Sequence, residues 1–110
     1  MDKETENLKG IIIRPTELVT YQKGSVVSRM ITYTPQGTIT LFAFAEDSGL
    51  SEHTAPFDAV LQVLEGTAEV TLEGEKFQVA SGEMIILPAD IPHAVHAPVS
   101  FKMMLTMIHA

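Results

Sequence analysis

With 110 residues and 45% of them hydrophobic, the chain can bury one core without covalent staples. It has no cysteine, which excludes disulfides, thiolate metal sites and cysteine nucleophiles, and makes a reducing compartment, the cytoplasm, the default location. Seven basic residues against fourteen acidic ones give a net charge of −7, which repels a phosphate backbone and argues against nucleic acid as a partner.

The first ten residues are polar, so no signal peptide is expected, and no apolar run is long enough to cross a bilayer, so no membrane partner is expected either. Residues 1–9 read as a loose charged tail, and residues 10–110 as a single folded domain. Gly10-Ile11-Ile12-Ile13-Arg14 reads as a short strand stopped by Pro15, and residues 16–19 as one helical turn capped by Thr16. A Lys23-Gly24 turn leads into residues 25–34, which are rich in β-branched side chains and end at Pro35-Gln36-Gly37. Residues 38–45 alternate and then turn apolar on both faces, a pattern that requires cover on two sides, by a second sheet or a second subunit.

A polar loop, residues 46–49, precedes His53 and Pro56. Residues 59–64 form a strand, Glu65-Gly66 a hairpin turn, and residues 67–72 alternate with Ala68, Val70 and Leu72 on one face. Glu73-Gly74-Glu75 turns the chain, Phe77 and Val79 point one way, and Ser81-Gly82 turns it again. Met84-Ile85-Ile86-Leu87 is a strand that Pro88 stops; after a short loop Pro92 sets up His93 at the start of another strand. Residues 101–108 form the last strand. Eight to ten short strands without a long helix predict an all-β sandwich or barrel.

These residues resemble the cupin family, in its small single-domain form. The family's first motif runs from a glycine to a His-x-His pair, then a Glu, then a closing glycine. Here Gly49, His53 and Gly66 hold three of those places, while Ala55 stands at the second histidine and Ala59 at the glutamate. In the second motif Gly82, Pro88 and His93 match; Asp90 replaces a glycine and Ala97 an asparagine. The resemblance implies an RmlC-like jelly-roll barrel, a double-stranded β-helix, over residues 25 to 108, and a metal bound by three histidines and a carboxylate or by four histidines. Two of those four ligand places are alanine here.

Strand parity puts His53, Ala55, Ala59, Leu61 and Val63 on one inner face, and His93, Val95 and Ala97 on the corresponding face of another strand. The expected pocket is two imidazoles among small apolar side chains, with Met30, Met84, Met103 and Met107 as adaptable lining. Two imidazoles can hold one divalent ion (Zn, Fe, Mn or Ni), weakly unless Asp58, Gln62 or His96 is turned inward as a third ligand. The alternative is a hydrogen-bonded histidine pair without metal. His109 is expected in solvent. Three functions follow: a small-molecule binding protein, a metal-dependent enzyme such as a small dioxygenase or isomerase, and a dimerising scaffold. The binding protein is favoured, because no third group is placed to act as a base. A homodimer is expected, since residues 38–45 and 101–108 each leave an apolar face to be covered.

Overall fold

The computed structural model of the chain describes residues 7–109. The tail expected over residues 1–9 lies, for residues 1–6, outside the described residues. Nine strands follow a 3-10 turn at Pro15–Glu17: β1 (Val26–Thr34), β2 (Gly37–Phe44), β3 (Gly49–His53), β4 (Ala59–Glu65), β5 (Thr67–Leu72), β6 (Glu75–Ala80), β7 (Met84–Leu87), β8 (His93–His96) and β9 (Phe101–Ile108). They build two antiparallel sheets, one in the order β1-β2-β9-β4-β7 and the other β3-β8-β5-β6. The strand count is the one expected from the turn spacing, and the jelly-roll layering is the one the family resemblance implies.

Alternation sets which side chains enter the core. On β4, Ala59, Leu61 and Val63 are buried while Val60, Gln62 and Leu64 lie on the other face. The β2–β9 register sets Phe44 opposite Phe101 and Phe42 opposite Met103. The rings of Phe44 and Phe101 stack at 4.5 Å, and both are fully buried. Val70, Val79, Leu87 and Val95 complete this core from the facing strands.

The outer faces of the two sheets differ in chemistry. The four-stranded sheet shows solvent a polar set: Glu69 pairs in register with Gln78 and His96, and Lys76 reaches its carboxylate at 3.8 Å. The five-stranded sheet carries Leu41 and Ala43 outward, as its doubly apolar sequence requires. The chain itself supplies their cover, because Val19 packs there with Leu18, Val27, Ile31, Leu64 and Met104. Lys102, buried on the same face, donates to the Thr16 carbonyl at 2.5 Å and stands 5.0 Å over the Tyr21 ring. Tyr21 in turn donates to Glu65, and burial together with that carboxylate holds its hydroxyl well above the usual range. A strap of residues 15–21 is thereby fixed across the outside of the sheet.

Two local expectations are corrected here. Thr16 caps nothing: the turn begins at Pro15 after Arg14, with no side-chain cap, and Thr16 serves through its carbonyl. Residues 10–14 are not a strand of this fold, since no ladder partner stands beside them among the described residues.

Candidate functional site: a histidine pair at the barrel mouth

β3 ends and β8 begins at the same end of the barrel, and their register sets His53 opposite His93. The pairing contains an irregularity. Leu50 faces Val95, so three steps along β3 match two along β8. In a regular ladder Glu52 would face His93 and His53 would point to solvent; the extra residue of this bulge returns His53 to the inner side.

The loop between β7 and β8 is held from the β3–β4 connection. Asp90 N–H donates to the Ala55 carbonyl at 2.8 Å, and Ala89 N–H donates to Asp58 Oδ1 at 2.8 Å. Asp90 has φ 64°, the left-handed conformation that asparagine and aspartate tolerate best after glycine. The glycine place of the second motif is thus kept in backbone shape without its glycine. Asp90→Val should cost about 1–2 kcal/mol in urea unfolding, and Asp90→Gly should cost nothing.

The two rings meet edge to face, with centroids 4.3 Å apart and Nε2 to Nε2 at 3.1 Å. Each Nδ1 faces a backbone carbonyl, Ser51 O for His53 at 2.8 Å and Ile91 O for His93 at 3.2 Å. A carbonyl only accepts, so both Nδ1 atoms carry hydrogen. In the neutral pair both Nε2 atoms are then lone pairs brought to one place. Such a pair needs a cation between its nitrogens: either a proton on one ring or a metal ion. His93 is 6% exposed, and burial, then the nearby His53, lower its pKa below the usual 6.5, so the proton is disfavoured there. Folding therefore leaves this imidazole less protonated than it is in the unfolded chain. Its contribution to stability is complete above pH 6.5 and is lost as the pH falls below that value.

The pair fits a divalent ion. Nitrogen donors about 2.0–2.1 Å from one ion, at angles between square and tetrahedral, lie about 2.9–3.4 Å apart, and a carbonyl on the far nitrogen of each ring fixes its orientation toward the ion. The observed 3.1 Å falls inside that span.

The candidate third ligands stay apart from the pair. Among the described residues no three histidine, aspartate or glutamate side chains gather as a metal group. Asp58 is engaged by Ala89 N–H and so supports the loop beside His93. Gln62 stands on the outer face of β4 between Met84 and Met104. His96 faces the solvent side of β8, 3.9 Å from Glu69. The expected pocket also changes. Ala59, Leu61, Val63, Val95 and Met103 do point inward, but as closely packed core around Phe44 and Phe101. Leu61, Val63 and Met103 are at most 1% exposed, so no water-sized void borders them. At the mouth, His53 is exposed and Ala55 half-buried. Met84 leaves the lining altogether: it pairs with Gln62 on the outer face and is 55% exposed. Met30 is exposed too, whereas Met107 packs on the core. His109 is half-buried and stacks on Phe57 at 4.4 Å, contrary to its expected place in solvent. A histidine next to the C-terminal residue gives no sequence signal for that contact.

Two antiparallel sheets closed over one core, with paired histidines at one end, define a small jelly-roll barrel protein. The cupin-domain family profile matches residues 40–109, and the chain belongs to the cupin family. A conserved protein of unknown function from Streptococcus pyogenes is 30% identical, with a TM-score of 0.88 over 96% of this chain and 93% of that one. A cupin superfamily protein from Desulfitobacterium hafniense is 24% identical, also with a TM-score of 0.88, over 96% of this chain and 97% of the other. A cupin 2 conserved barrel domain protein from Leptotrichia buccalis is 38% identical with a TM-score of 0.82, over 84% of this chain and 45% of its own. Among curated proteins, none matches the sequence. No helix of the described residues is long and apolar enough to cross a membrane.

Proposed function

We propose that the protein binds a small anionic molecule at the barrel mouth through one divalent ion held by His53 and His93. The carrying observation is the pair of Nε2 lone pairs 3.1 Å apart, with both Nδ1 hydrogens committed to backbone carbonyls. The ion, Zn, Fe, Mn or Ni, would supply a positive charge that accepts oxygen donors of the ligand. With two protein ligands most of its coordination places belong to that ligand, which favours a chelating carboxylate over a single-point contact. His93 fixes one edge of the site from the buried side, and exposed His53 leaves the approach open. A metal-dependent enzyme, a small dioxygenase or isomerase, is the second reading. It requires a further protein group at the ion, and Asp58 and His96 are engaged elsewhere. A chain without cysteine suits the cytoplasm.

Titration calorimetry with zinc or manganese tests the reading. One ion should bind per chain at neutral pH. In His53→Ala and in His93→Ala the affinity should fall by more than about 100-fold, beyond what loss of a hydrogen-bond partner behind a ligand does. Acidification should weaken binding, because the imidazoles must be unprotonated to coordinate. A small dicarboxylate should raise the melting temperature only with the ion present. Ion binding that survives both substitutions contradicts the proposal.

The same reading includes a homodimer. On the outer face of the five-stranded sheet Met84, Ile86 and Ile108 remain more than half exposed, beside Val60 and Ile39, and a two-fold pairing of that face would cover them.

A further inference from the structure

The isoleucine run near the N-terminus is at odds with its surroundings. Three consecutive β-branched residues have the strongest preference for a strand. Yet Ile12 is 100% exposed and Ile11 59%, and residues 11–13 join no strand ladder among the described residues. The segment does not pair with its own sheet, and of its three isoleucines only Ile13 is half-buried on its own chain. Just beyond it the chain is anchored, at Thr16 by Lys102 and at Val19 by the outer face of the sheet. The anchored turn touches β4, and the next strand outward is β7, the edge of that sheet.

β7 is a short strand with β4 as its one ladder partner among the described residues, and β6 is likewise an edge of the facing sheet. Between these edges runs an open groove of about 370 Å³, lined by Phe77, Gln78, Val79, Glu83, Met84 and Ile85. It has the two properties a received strand needs: free backbone groups along its wall and apolar side chains at its floor. Five extended residues reach about 16 Å, and the four of β7 span about 13 Å, so the lengths match. Lys9 and Arg14 flank the isoleucines, which suits an apolar arm approaching a chain of net charge −7 with Glu83 at the groove.

We propose that residues 10–14 of each copy add as a short strand to the β7 edge of a second copy, in a reciprocal exchange of arms. The inference rests on the homodimer reading above and specifies how the two copies are joined. In it Ile12 leaves water, β7 gains a second ladder partner, and the exposed Met84 is covered by the partner's arm.

Light scattering after size exclusion at micromolar concentration, with the full chain, tests it. The wild type should be a dimer. The Ile11→Asp/Ile12→Asp variant should be a monomer with an unchanged far-UV spectrum, because both side chains are already in solvent within one copy. In this cysteine-free chain, Ile12→Cys together with Met84→Cys should give a covalent dimer on oxidation, and neither single substitution should. A dimer that survives the double aspartate change but is broken by Ile86→Asp overturns the exchange and keeps the sheet-face dimer. If the double cysteine variant instead closes its disulfide within one copy, the arm lies on its own groove, and the exchange is again overturned. A monomeric wild type overturns both.

Discussion

Gly66→Val is expected to destabilise the protein by about 3–5 kcal/mol, combining a left-handed backbone with overpacking. Gly66 joins β4 to β5 at φ 76°. A Cβ there would overlap the Ser100 carbonyl oxygen and lie 2.8 Å from Phe101 Cβ and 2.9 Å from its Cα. The neighbour is backbone and cannot swing aside, so the strain passes to the start of β9. Gly74 provides the control. It has φ 83°, and nothing stands within 4 Å of an added Cβ. Gly74→Ala should therefore cost only the backbone term, about 1–2 kcal/mol. Urea unfolding of the two variants checks the difference. Equal costs would mean that the Phe101 contact plays no part.

Phe101→Ala is expected to cost about 3–5 kcal/mol, the range for deleting a buried ring. Phe101 has no exposed surface and stacks on Phe44 at an interplanar angle of 9°. Both rings sit between sheets, where strands cannot close over a void without breaking the β2–β9 register. In the monomeric Ile11→Asp/Ile12→Asp background, where Met84 stays exposed, Met84→Ala should by contrast lie within about 0.5 kcal/mol. Thermal or urea unfolding of the pair distinguishes core from surface. A Met84 effect as large as that of Phe101 would restore Met84 to the interior.

Much of the fold is legible in the residues because strands carry a strict two-residue period and turns carry glycine and proline. Ala59, Leu61 and Val63 face inward as their parity requires, and Gly66, Gly82 and Pro88 punctuate the chain where strands end. The convergence of His53 and His93 is legible too, through the two motifs that the chain shares with its family. Four features are hidden, each for a physical reason. The bulge that aims His53 depends on how β3 registers against β8, and a register joins residues forty apart. Met84 reads as lining because a four-residue apolar strand does not declare which face is inner; pairing with β4 decides it. Asp58 reads as a displaced ligand, yet its carboxylate is claimed by an amide thirty-one residues on. The cover of Leu41 and Ala43 reads as another sheet or subunit, and is a strap from the chain's own start.

The strap also explains why an apolar sheet face is only partly open. Val19, Thr16 and Tyr21 occupy its middle, held through Lys102 and Glu65, and the remaining exposure shifts to the β7 side. The proposed dimer surface and the proposed metal site therefore use different parts of the barrel. Ion binding at the mouth does not depend on the arm, and the Ile11→Asp/Ile12→Asp variant should retain it.

The most direct measurement is a crystal soaked in zinc and recorded across the zinc absorption edge. An anomalous peak in contact with both His53 Nε2 and His93 Nε2 is the predicted result. Zinc at His96 or His109 alone, with the two mouth imidazoles unaltered and no peak beside them, would contradict it.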